Sequence, residues 1–337
     1  MFFSCFCLFL RYDDLLSQTE IFAMKKSVTK VFQWGLKVSV GGLYVLIFLF
    51  ASFSENQQNN TSDASLLAYT TSPFIPEKLT FCGEDVPLQY FDIMESLERE
   101  LIVNTYFHSQ TLLYLKKASR YFPVIEPILK ENNIPEDFKY LVVAESGLSH
   151  VVSPVGAAGF WQLLENTAKD YGLEVNEEVD ERYHLEKSTV AACKFLSESH
   201  LIHKNWTMVA ATYNAGRKGI DRQIERQGES NYYDLLLNEE TARYVFRVLA
   251  VKLILENPIQ YGFNVPEPEK YYPVPFHEIS VSDSIADIGV FAKEQGTNYK
   301  LLKMLNPWLR DTKLLNSQKR TYRIKIPDSR EFNNESQ

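Results

Sequence analysis

The sequence predicts a mainly α body followed by a small α+β unit, and three observations carry that expectation. Apolar residues recur at helical spacing through Phe138, Leu141 and Val142, and again through Tyr244, Val248, Val251 and Leu255. The run Pro266-Glu267-Pro268-Glu269 then interrupts the helical series. Beyond it, 277–281 and 322–327 alternate as strands around two helical stretches, 284–294 and 299–305, which makes a βααβ order.

Composition narrows the function classes. A chain of 337 residues with 45% hydrophobic content can bury one full helical core and one small module. A formal net charge of -8 supplies no basic face for a polyanion, so nucleic acid is not an expected partner. The four cysteines, Cys5, Cys7, Cys82 and Cys193, lack metal-ligand spacing and make no disulfide framework. His200 and His203 lie one turn apart with no further ligands nearby, so they read as solvated surface residues. No metal and no cofactor are expected.

From the N-terminus, residues 1–54 read as an extension plus a signal peptide or membrane anchor. Lys25, Lys26, Lys30 and Lys37 precede an apolar run over 38–53, and Met24 reads as the true start. Residues 55–65 are rich in Asn, Gln, Ser and Thr, the composition of a tether, within a linker and lead-in assigned to 55–100. The expected location is therefore exported, in the periplasm or cell envelope, with a membrane contact through the N-terminal segment if it stays uncleaved.

The next helix is expected to start at Asn133-Ile134-Pro135-Glu136-Asp137, with Asn133 as its cap. Continuing the stripe of Phe138, Leu141 and Val142, the following inward position is Glu145, and Gly147 stands where the helix would stop. A carboxyl group thus points where a leucine would be expected. Desolvation there raises its pKa toward neutrality, as a general acid requires. A small-residue loop, Gly156-Ala157-Ala158-Gly159-Phe160-Trp161-Gln162, follows at once. Later, Tyr213-Asn214-Ala215-Gly216 ends one helix with groups that donate and accept, and Glu240-Thr241-Ala242-Arg243-Tyr244-Val245 opens another.

In this order and spacing, these segments resemble the soluble-lytic-transglycosylase-like (SLT) domain family, specifically the membrane-bound murein lytic transglycosylase D type. The matching pieces are Glu145-Ser146, the run 156–163 with Thr167-Ala168, the run 211–216, and Glu240-Thr241 with Tyr244-Val245. The resemblance implies a lysozyme-like SLT catalytic domain, here assigned to 101–264. It also implies cleavage of the β-1,4 bond between N-acetylmuramic acid and N-acetylglucosamine in peptidoglycan glycan strands, leaving 1,6-anhydro ends. Glu145 would be the catalytic residue, with Ser146, Gln162, Tyr213, Asn214 and Tyr244 binding substrate or positioning the acid. Two alternatives stay open: a goose-type lysozyme hydrolase, for which Asp170 or Asp180 would be the base, and a non-catalytic peptidoglycan-binding scaffold.

The C-terminal unit, assigned to 270–328, resembles a LysM module through Ser282-Asp283-Ser284-Ile285-Ala286, Leu305-Asn306-Pro307 and the closing Ile326-Pro327. Glycan binding is what that resemblance implies, and a packing role without ligand is the alternative.

Overall fold

The structure, a computed structural model, describes residues 71–328; the export segment, the tether over 55–65 and the start at Met24 lie outside them. Among the described residues no helix is long and apolar enough to cross a membrane.

A short antiparallel ribbon, β1 (Thr80–Phe81) and β2 (Glu84–Asp85), leads into the helical body. The consecutive helices α1 (Phe91–Tyr106) and α2 (His108–Glu131) pack on each other, and α2 packs on α3 (Phe138–Ser146), which carries Glu145 near its C-terminus. After the short α4 (Glu165–Asp170) come α5 (Leu185–His203), α6 (Trp206–Ala215), α7 (Arg217–Gln227) and α8 (Glu239–Glu256). Helix α3 is central because it is apolar almost all round, burying Phe138, Tyr140, Leu141, Val142 and Val143. Helix α8 packs on α1, α3 and α6 with ten buried side chains, so these two helices share the middle of the core.

Two expectations for this region change. Helix α3 begins at Phe138, because Asn133 takes a left-handed conformation (φ 56°) and cannot cap it. The segment from Pro135 makes a turn instead, and the Asp137 carboxylate accepts from the Cys82 backbone N–H and from Lys252 Nζ, each at 2.7 Å. The domain start assigned to 101 also falls inside α1. That helix belongs to the body as a whole: Leu97 and Leu101 are fully buried, and the buried Glu100 pairs with Arg243 of α8 at 2.6 Å.

In the C-terminal unit, β3 (Phe276–Val281) pairs antiparallel with β4 (Tyr322–Pro327) along its whole length, from Phe276↔Pro327 to Val281↔Tyr322. Helices α9 (Ile288–Glu294) and α10 (Tyr299–Leu305) complete the βααβ order. The first helix starts four residues later than the periodicity over 284–294 predicts, because Asp287 caps it by accepting from Gly289 and Val290. Asn306 is fully buried and hydrogen-bonds both the N–H and the C=O of Lys325, locking the end of α10 to β4.

The two units share one apolar cluster. Ala158, Val179 and Tyr183 of the helical body pack with Ile288, Leu302, Trp308 and Leu314 of the C-terminal unit. The described residues therefore fold as a body and a docked module with continuous packing between them.

Candidate active site

Glu145 lies in the last turn of α3, followed by Gly147 in the left-handed region (φ 57°), whose N–H closes the helix on Val143 O at 2.8 Å. A side chain at 147 would strike Tyr114 of α2, a Cβ lying 2.8 Å from Cε1, so the helix end is pressed against its neighbour. Lys117 of α2 fixes the same corner by donating to Gly147 O at 3.1 Å and to Ser149 Oγ.

The Glu145 residue keeps partial exposure, yet protein surrounds its carboxyl enough that desolvation is the leading influence on it. Burial pushes its pKa up to about 7; the Tyr244 hydrogen bond and the Arg247 charge pull it down, and Glu240 adds a smaller upward push. The buried Tyr244 hydroxyl donates to Glu145 Oε1. Among the described residues Oε2 has no hydrogen-bond partner, which leaves that oxygen to carry a transferable proton. Glu240, Tyr244 and Arg247 all lie within two turns of α8, so this helix supplies every polar influence on the acid named above.

The other sequence candidates divide into two groups. Asn214 joins the α8 side: its Oδ1 accepts from Thr241 Oγ1 at 2.9 Å, and its Nδ2 reaches Glu240 Oε1 at 3.5 Å. Tyr213 sits one residue away, its hydroxyl donating to Trp161 O at 2.6 Å; burial and the Glu145 charge hold the phenol protonated. Gln162 is held in a left-handed conformation (φ 48°), an uncommon one for a glutamine, with its amide N–H donating to Gly159 O and Val151 O. Ser146 lies next to the acid in sequence. Its hydroxyl is buried and donates back onto Val142 O at 3.1 Å within α3.

Neither acid weighed as a rival base is among the groups that act on Glu145. Asp180 is 6% exposed and committed to Arg182, with Nη2 to Oδ2 at 2.7 Å, while Asp170 ends α4 on the surface. Glu240, which carried no role in the sequence reading, is the acid whose charge acts on Glu145. Its i,i+4 spacing from Tyr244 was the available signal. Arg247 was missed for the same reason, three residues on along that face. The paired histidines are also less exposed than expected, since His200 stacks on Trp206 at 3.8 Å and the His203 ring is largely buried. Among the described residues no cluster of ligating side chains could hold a metal ion.

Residues 122–236 match the transglycosylase SLT domain family, and residues 277–330 match the soluble lytic transglycosylase C-terminal LysM-like domain. The chain carries an SLT domain. It is also 30% identical over 184 residues to the membrane-bound lytic murein transglycosylase D of Escherichia coli K12, and equally to that of Escherichia coli O6:H1. Those alignments cover 53% of this chain and 40% of each relative, so the chain spans about two fifths of the length of the curated relatives it matches. A solved structure of an inactive mutant of the lytic transglycosylase Slt from Pseudomonas aeruginosa matches 45% of this chain and 26% of its own, at 19% identity and a TM-score of 0.33. The SLT match spans Glu145, the loop 156–163 and the Tyr213-Asn214 pair, and the mainly helical architecture with an appended α+β unit agrees with both domain matches.

Proposed function

We propose that this chain is a peptidoglycan lytic transglycosylase that cleaves the N-acetylmuramic acid to N-acetylglucosamine β-1,4 bond without water and leaves 1,6-anhydro ends. The observation that carries the reading is Glu145: one carboxyl, raised to about 7 by burial, with one oxygen held by Tyr244 and the other unpartnered, inside the SLT match. An acid in that state is protonated below neutrality and is basic enough to take a proton back.

Protonated Glu145 gives its proton to the glycosidic oxygen as the bond to the muramyl anomeric carbon breaks, and the muramyl N-acetyl group supports the positive charge that develops there. The resulting carboxylate then removes the proton of the muramyl 6-hydroxyl. That oxygen bonds to the anomeric carbon, closing the anhydro ring and returning Glu145 to its acid form. One carboxyl serves both steps, whereas hydrolytic enzymes use two, one on each side of the bond. Gln162 and Asn214 offer amides to sugar hydroxyls and N-acetyl groups, and Tyr213 ties the loop 156–163 to α6 beside them.

Relatives named membrane-bound lytic murein transglycosylase support an envelope location, with the apolar run 38–53 directing export and remaining as an anchor if uncleaved. The C-terminal unit would add affinity for glycan. The test is the mass of the products from purified murein. Anhydro ends, lighter by one water and resistant to borohydride, are expected; reducible muramic acid ends would overturn the reading.

A further inference from the structure

The segment between α4 and α5 is held from both sides. On one side it meets the C-terminal unit: Asp180 N donates to Trp308 O at 2.9 Å, Arg310 N donates to Glu178 O at 2.7 Å, and Leu315 N donates to Glu178 Oε2 at 2.9 Å. The Arg310 guanidinium lies 4.1 Å from the centre of the Tyr183 ring. On the other side the same segment meets the loop 156–163, and one side chain carries the hydrogen bonds between them. Arg182 is forked onto Asp180 through Nε and Nη2, while its Nη1 donates to Gly156 O at 2.9 Å and Leu163 O at 3.3 Å. Those carbonyls are the two ends of the loop.

We propose that the C-terminal unit is a working part of the active site, because it holds Asp180 and Arg182 in place and Arg182 in turn clamps shut the loop that presents Gln162 and Trp161 O. The contact is close. A Cβ at Gly159 would lie 1.9 Å from Arg182 O, so the loop and the segment beneath it meet backbone to backbone. The loop's far side is tied to α5 and α6 by Trp161 Nε1 on Thr189 and by Tyr213 on Trp161 O. Arg182 is thus a positioning residue. Only a forked guanidinium can pair with Asp180 and still reach both carbonyls; a lysine has one point donor and can satisfy part of the set.

This inference rests on the transglycosylase reading for its kinetic readout, so the test has a second, structural arm. In the full chain, R182Q, R182K and the docking variant E178A/R310A are compared with the unaltered protein on soluble glycan strands and by amide exchange of the peptide covering 156–163. R182Q and E178A/R310A are expected to lower kcat about 10–100-fold with KM changed less than about threefold, since misplacing a preorganised group costs turnover more than binding. Both should exchange faster across 156–163, and R182K should fall between R182Q and the unaltered protein in each readout. E178A/R310A alters only groups at the seam, so it decides the matter if R182Q does not fold. Unchanged exchange over 156–163, or unchanged kcat, in a folded E178A/R310A protein overturns the inference. If the unaltered protein releases no anhydro ends, the functional reading fails instead, and the exchange arm still judges the clamp.

Discussion

The chemistry of Glu145 turns on a balance within one side chain. Replacing it with Gln keeps the size and removes the transferable proton, so E145Q is expected to retain the fold and lose at least about 10³-fold in glycan cleavage, measured as anhydro-muropeptide release. The same substitution tests the burial argument. A carboxyl raised to about 7 in the folded chain, from an ordinary 4.5, contributes no penalty while it is protonated in both states, destabilises the fold progressively as pH rises from 4.5, and reaches its full penalty above about 7. E145Q should therefore match the unaltered protein near pH 4 and exceed it at pH 8 by on the order of 1–2 kcal/mol, after allowance for partial solvent access; equal stability at both pH values would contradict the desolvated acid. Tyr244 acts in the opposite sense, since its donated hydrogen bond favours the carboxylate. Y244F is expected to move the alkaline limb of the kcat profile upward in pH while lowering its maximum, and a downward shift would show that Tyr244 works in another way.

At the scale of single elements, the loop 156–163 has little room for change. G159A would place a methyl group into the Arg182 carbonyl at a residue with φ 79°, and it is expected to cost about 2–4 kcal/mol by denaturant unfolding. Loss of an ordinary cap is milder. Asn238 accepts from Thr241 N at 3.0 Å at the start of α8, so N238A should cost about 1 kcal/mol in the same measurement. Helical periodicity made α3, α8 and α10 legible and strict alternation made β4 legible, because each presents an apolar face that recurs at its own spacing. Boundaries were less legible. Asn133 and Asp137 carry the residue types of helix starts, yet tertiary partners claim them: a left-handed turn in one case, and the Cys82 amide with Lys252 in the other. Ser146 stood beside the acid in the motif, and its inward turn onto Val142 O depended on a rotamer that spacing does not encode. The clamping role of Arg182 left no trace, since the backbone carbonyls it reaches beyond neighbouring Asp180 lie 26 and 19 residues away.

On the scale of the whole molecule, the decisive feature is the seam. Ala158, Val179 and Tyr183 are each at most 5% exposed, and Leu309 and Trp308 are part of what covers them. Cutting the chain at Pro266 would bare that surface. The truncated protein is expected to melt lower by several degrees and to self-associate, as followed by light scattering; a monomer with an unchanged melting temperature would show that the body does not depend on its module. The polar rim of the seam points the same way, with Glu174 accepting from both Arg320 and Tyr322 and Glu186 paired to Lys325.

These pairs join residues 139 to 148 positions apart, and the later member of each lies on β4 or just before it. Strand β4 is the last described element to leave the ribosome, and β3 has no strand to pair with until it arrives. A nascent or prematurely stopped chain would thus hold every residue of the acid's neighbourhood while its loop stayed unclamped. The order of synthesis would then separate two events, the folding of the helices around Glu145 and the later clamping of the loop, with the pairing of β4 as the step that joins them.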